Sequence, residues 1–176
     1  PELAGLGRVI VPDLIGHGDS DKLPPTEGAL RYSFASAYHY LEGLLDVMGV
    51  ASQVTLVVHD WGSALGFYWA QQHPDSVRGI AYMEGIVQPF ESWADCLVTA
   101  RRIFKAFRSE HGEDLVLQRK KHVDAVIPSS MLPSSCDEEM AHHRGAFSSS
   151  EDRQRQLTRA RQITKTGRAA GEGECG

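Results

Sequence analysis

The residues best placed to do chemistry lie in Val54-Thr-Leu-Val-Val-His-Asp-Trp-Gly-Ser-Ala-Leu-Gly-Phe67. Strand-forming Val54 to Val58 run straight into His59, Asp60, Trp61 and Gly62, and small residues in a helical pattern follow. Strand, tight turn and helix with an attacking side chain at the apex are the parts of a nucleophile elbow. The usual elbow reads small-x-nucleophile-x-small. Here the centre is Asp60, the first position holds Val58, and Gly62 supplies the second small residue, where the turn is expected to have little room. A carboxylate nucleophile attacks carbon and leaves an ester that water must hydrolyse. An aspartate between strand and helix also suits an N-cap, so the motif alone leaves attack and capping open. Trp61 carries an indole N–H, a donor without an acceptor that suits an anion; core packing is its other common use. Glu84 could orient a histidine base or sit solvated in a turn beside Gly85.

These residues need elements to hold them. Arg8 to Val11 is an apolar run ending at Pro12-Asp13 and predicts a buried strand. Gly16-His-Gly18 breaks it into a loop whose tight turns explain both glycines. Asp13 is read as structural and His17 as exposed. Tyr38, Leu41, Leu44, Leu45 and Met48 recur at helical spacing over Tyr32 to Gly49, with Ser33 or Ser36 as cap. Val54 to Val58 is the second strand, Ser63 to Gln72 the helix after the elbow, and Val77 to Met83 the third strand. Strands alternating with helices imply a parallel sheet with crossovers, which puts Asp60 and Glu84 at the carboxyl ends of strands. The strand pattern then stops. Trp93 to Phe107, Leu115 to Val126 and Cys136 to His143 predict three helices, the last favoured by Asp137-Glu-Glu139 at its start. Beyond Ser148 the chain is polar and arginine-rich, and is expected to be poorly ordered.

On three segments the chain resembles the haloalkane dehalogenases, an α/β-hydrolase family, and its branch that includes the lindane dehalogenase: VVHDWGSALGF, PDLIGHGDSDK from Pro12 to Lys22, and IAYME from Ile80 to Glu84. The likeness runs through residues 1–147 and weakens after. It implies an α/β-hydrolase fold, mostly parallel with helices on both faces: the central main domain at 1–88, a helical cap at 89–165 and a disordered tail at 166–176. It also implies cleavage of a carbon–halogen bond in a small halogenated hydrocarbon. Asp60 would be the nucleophile, Trp61 would bind halide through its indole and serve the oxyanion hole through its backbone, and Glu84 would be the acid. No cofactor or metal is implied. The coelenterazine luciferase of sea pansies shares the scaffold and the Asp-Trp and Glu positions, so an oxygenase is the alternative enzyme.

Three departures from the family point to a third outcome, an inactive central fragment. The family's base histidine and the Asn of its HGN segment would fall outside Pro1–Gly176. Arg119-Lys-Lys-His122 and Leu157-Thr-Arg-Ala-Arg161 stand where relatives are apolar or read Leu-Ser-Trp-Pro-Arg, and charges in a closed apolar pocket are costly. Cys96 replaces a bulky aromatic. His59 should point away from the site, and His73, His111, His142 and His143 are read as surface residues. At 41% hydrophobic, 23% charged and net charge −5, composition predicts a globular domain without the basic stripe of a nucleic-acid binder. No apolar run is long enough to span a membrane, and no leader pattern opens the chain. Three separated cysteines favour a reducing cytoplasm over a disulfide framework. The chain is expected to be a monomer or to aggregate.

Overall fold

The computed structural model describes residues 2–87, 92–95, 98–129 and 136–162. Helix α1 (Phe34–Val47) starts where the Ser33 hydroxyl accepts the Ser36 N–H at 3.2 Å, which leaves one fewer orphan donor in its first turn. Strand β1 (Val54–His59) leads into helix α2 (Trp61–Gln72), which crosses over to strand β2 (Val77–Met83). β1 and β2 pair in parallel, with Leu56 opposite Ile80 and Val58 opposite Tyr82. Side chains alternate along β1: Val54, Leu56 and Val58 are half-buried, and Thr55, Val57 and His59 are exposed. Ala37, Tyr38, Leu65 and Trp69 form the core between the two helices and the sheet, with Leu14 and Ile15 of the preceding loop packed on it.

The tight approach in this unit is not at Gly62. A Cβ there would meet nothing within 4 Å, whereas a Cβ on Gly66 would lie 2.8 Å from Val58 Cγ1. The role expected of Gly62 passes to Gly66, one turn further on. Its missing side chain makes room for Val58, which stands where an elbow usually has a small residue.

Arg8 to Val11 is not a strand. The segment is irregular, with Val9 49% and Val11 87% exposed. A strand exists through its ladder partner more than through propensity, and the described sheet consists of β1 and β2 alone.

Helix α3 (Val98–Arg108) takes up the later part of the helix expected over Trp93 to Phe107, while Trp93–Asp95 is a 3-10 turn. The helix expected over Leu115 to Val126 is split into π-helical segments Asp114–Gln118 and His122–Val126, the latter running into α4 (Ile127–Ser129). Lys120, with φ 52°, marks the break. Helix α5 (Asp137–Gly145) carries its acidic residues in the first turn.

The region after Ser148 corrects the expectation of disorder. Helix α6 spans Ser150–Gln162. Ser149 and Asp152 form a reciprocal cap: the Asp152 N–H donates to Ser149 Oγ at 3.1 Å, and the Ser149 N–H to Asp152 Oδ2 at 3.0 Å. That S-x-x-D signature was present in the sequence. Arg153 and Arg155 are anchored, not solvated. Arg153 Nε donates to Leu117 O at 2.8 Å. Arg155 donates to the Gly16 and Ala146 carbonyls and lies 4.3 Å from the Phe147 ring centroid. Leu157 and Ala160 complete a second core with Phe107 and Val116. Residues 163–176, including the tail expected to be disordered, lie outside the described residues, as does Cys96.

Two outcomes are expected. In urea titrations Gly66→Ala should lower stability by about 1–3 kcal/mol through overpacking against Val58, while Gly62→Ala should leave it unchanged or raise it; equal losses would refute the assignment. The open sheet face exposes Val57 (62%) and Met83 (55%), which marks an association-prone surface. The purified chain should bind a hydrophobic dye and scatter light increasingly with concentration; a sharp, reversible thermal transition of a monomer would contradict this.

Candidate active site

Asp60 sits in the turn between β1 and α2 with φ 47° and ψ −124°. This backbone region costs a non-glycine residue on the order of 1–3 kcal/mol, so surrounding contacts must impose it. The Asp60 N–H donates to Met83 O at 3.3 Å, and the Asp60 carbonyl accepts the Ser63 N–H at 2.9 Å and the Ser63 hydroxyl at 2.5 Å. Ser63 is completely buried, and its Oγ also accepts the Ile86 N–H at 2.8 Å. One hydroxyl therefore ties the elbow to the loop that follows β2. The Asp60 side chain makes no capping hydrogen bond, and the residue is exposed. Helix capping does not explain this aspartate.

Trp61 is the first residue of α2 and is half-buried. Its backbone N–H belongs to the helix-start donors that have no acceptor a turn earlier. Glu84 follows directly on β2, with φ 47°, so Asp60 and Glu84 leave the same end of neighbouring parallel strands. The Glu84 carboxylate lies 3.3 Å from His59 Nε2, and both side chains are exposed. His59 is on the open side of the sheet, and an ion pair so solvated contributes little.

Two residues to which sequence reasoning assigned no role, His122 and Arg159, interact electrostatically with Asp60. His122 lies in the second π-helical segment with its ring centroid 6.1 Å from that of Phe107. Burial lowers its pKa, and attraction to Asp60 opposes the shift. Its charged neighbours do not follow it inward: Arg119, paired with Asp114 at 2.6 Å, and Lys120 and Lys121 are exposed. Arg159, on α6, is half-buried. Burial lowers its pKa to about 10; Asp60 pulls it up and Arg155 pushes it down.

The expectation that His17 is exposed and partnerless is corrected. It is half-buried, with Nδ1 3.3 Å from Ile15 O and Nε2 3.3 Å from Arg159 Nη1. Burial first, then the charges of Arg159 and Arg155, lower its pKa to about 4. The neutral ring donates at Nδ1 and accepts the Arg159 N–H at Nε2. The preceding Gly16, with φ 81°, has no room for a Cβ beside the Tyr32 ring. Of the other histidines, His111 is exposed as expected, while His73 is half-buried and stacked on Trp69 at 4.7 Å.

A strained aspartate between a parallel strand and its crossover helix, with a glutamate at the end of the next strand, is the arrangement of an α/β-hydrolase site. The family model for the alpha/beta hydrolase fold matches residues 7–126, and the chain belongs to that family. Its relatives include haloalkane dehalogenases: it is 48% identical to that of Sphingobium indicum over 97% of this chain and 57% of the relative, and 40% identical to that of Mycolicibacterium smegmatis over 97% and 54%. Among solved structures it resembles haloalkane dehalogenase DbeA from Bradyrhizobium elkani, with a TM-score of 0.81 and 37% identity over 89% of this chain and 53% of the other. The chain thus spans a little over half the length of these relatives. No helix among the described residues is long and apolar enough to cross a membrane.

The His17 shift has a signed consequence. Its folded pKa lies below the unfolded value, so the unfolded state binds more protons between them. Stability from neutral His17 is complete above about pH 6.5 and is lost as pH falls from there to about 4. An NMR titration should place the His17 midpoint near 4; a midpoint near 6.5 would show that the ring is not packed against Arg159.

Proposed function

We propose that Asp60 is the nucleophile of a carbon–halogen hydrolase acting on small halogenated hydrocarbons. The observation carrying this is the carboxylate itself: uncapped, held in a strained turn, at the head of a crossover helix. A carboxylate oxygen forms a bond to the halogen-bearing carbon, the carbon–halogen bond breaks, and halide leaves with the electron pair. The Trp61 indole N–H donates to that halide, and its backbone N–H serves as the oxyanion donor. Water then hydrolyses the ester, a histidine taking its proton and Glu84 orienting that histidine. The haloalkane dehalogenases named above support the chemistry. In this reading residues 1–88 are the main-domain part and 89–165 the cap, a division favoured by the two separate hydrophobic cores. The reaction draws on no cofactor, and the uneven cysteine complement favours a cytoplasmic setting.

For these 176 residues we expect capture of an alkyl group without turnover. The nucleophile is exposed to water, and Glu84 faces exposed His59. Lack of a placed general base costs on the order of 10²–10⁴ in rate. After incubation with 1-bromobutane, intact mass and peptide mapping should show one butyl group on Asp60 and none in Asp60→Asn. Absence of any Asp60 adduct would overturn the nucleophile assignment. Sustained bromide release, abolished in Asp60→Asn, would overturn the expectation of no turnover and direct attention to His122 as base.

A further inference from the structure

Asp60 is not the only carboxylate held on a strained backbone. Among the described residues four non-glycines have positive φ, and two of them are Asp60 and Glu84, each at 47°. An L-residue resists that region, so contacts must impose it at both positions. The Asp60 N–H donates to Met83 O at 3.3 Å, which ties the turn to the residue before Glu84. Beyond Glu84 and Gly85, the Ile86 N–H donates to Ser63 Oγ at 2.8 Å, and the Ser63 hydroxyl donates to Asp60 O at 2.5 Å. These three bonds close a ring that runs from Asp60 to Met83, along the chain to Ile86, and through Ser63 back to Asp60. Glu84 and Gly85 form the short arc between the two ties. A Cβ on Gly85 would come within 3.0 Å of Tyr82 Cδ2, so the arc is tight.

Ser63 has the chemistry this closure needs. A hydroxyl has one proton to donate and lone pairs to accept with. Here the proton goes to the Asp60 carbonyl and a lone pair takes the Ile86 N–H. The residue is completely buried, so water does not compete for either bond, and a donor bonded to a second donor polarises both. We propose that Ser63 is a positioning residue for both carboxylates: its hydroxyl closes the ring that holds Glu84, as well as Asp60, on a left-handed backbone, so the nucleophile and the acid are set as one unit. The functional half rests on Asp60 being the nucleophile.

A double-mutant cycle in urea isolates the coupling. In the parent chain Glu84→Gly should raise the folded-to-unfolded ratio about fivefold, because glycine takes positive φ freely. In a Ser63→Ala background the same change should bring no gain, and with Ser63→Thr, which keeps a hydroxyl, the gain should persist. A hydroxyl that served α2 alone would change stability without altering the effect of Glu84→Gly. The parent chain gives a reading that needs no variant: the Ile86 amide should exchange with deuterium about tenfold more slowly than an unprotected amide. Alkylation of Asp60 by 1-bromobutane should be roughly tenfold to a hundredfold slower in Ser63→Ala and close to the parent rate in Ser63→Thr. A gain from Glu84→Gly of equal size with and without the hydroxyl, an unprotected Ile86 amide in the parent, or an alkylation rate unchanged in Ser63→Ala would overturn the proposal. Coupling of Ser63 to Glu84 with no adduct on Asp60 in any chain would leave the positioning role standing and remove the nucleophile.

Discussion

The backbone of Asp60 is the constraint around which this molecule is arranged. With φ 47° and ψ −124° the chain turns from a strand into a helix within one residue, and an L-amino acid resists that geometry. The parallel pairing of β1 with β2 supplies Met83 O for the Asp60 N–H, and the buried Ser63 hydroxyl clasps the Asp60 carbonyl from inside α2. Gly66 lets α2 lie close enough on Val58 for that clasp to close. Strain of this kind persists only where its surroundings over-determine it. Here it keeps the carboxylate clear of the helix-capping bond that an aspartate would otherwise make.

The parts of this arrangement that depend on local pattern were legible in the sequence. The 3.6-residue spacing from Tyr38 to Met48 and the apolar runs of β1 and β2 are expressed as helix and parallel strands, and Asp60 and Glu84 fall at the strand ends where crossover topology places them. What depends on a partner was not legible. Arg8 to Val11 has strand composition but no strand beside it. Gly66 matters because of Val58, and nothing in the local helix pattern shows that contact. His17 lacked a visible partner because Arg159 lies far along the chain, on a helix whose polar composition hid its capping box and its buried stems.

The arginines of α6 show how a helix of strongly polar composition can be well seated. Arg153 and Arg155 satisfy loop carbonyls, and Arg155 also covers an aromatic face, so their long apolar stems are buried while their donors are used. Leu157 and Ala160 then reach the core beneath. The same docking brings Arg159 of α6 against His17. Polar residues of α6 thus hold the helix on the loops beside it without opening the core beneath.

The stability of Asp60→Gly relative to the parent chain, from urea unfolding, tests the strained elbow most directly. If the backbone at this position is forced into a region that only glycine occupies freely, removing the side chain should stabilise the fold by about 1 kcal/mol, after allowance for the greater freedom of glycine in the unfolded chain. An ordinary N-capping aspartate would instead lose a few tenths of a kcal/mol on the same change, and a loss of that kind would contradict the elbow.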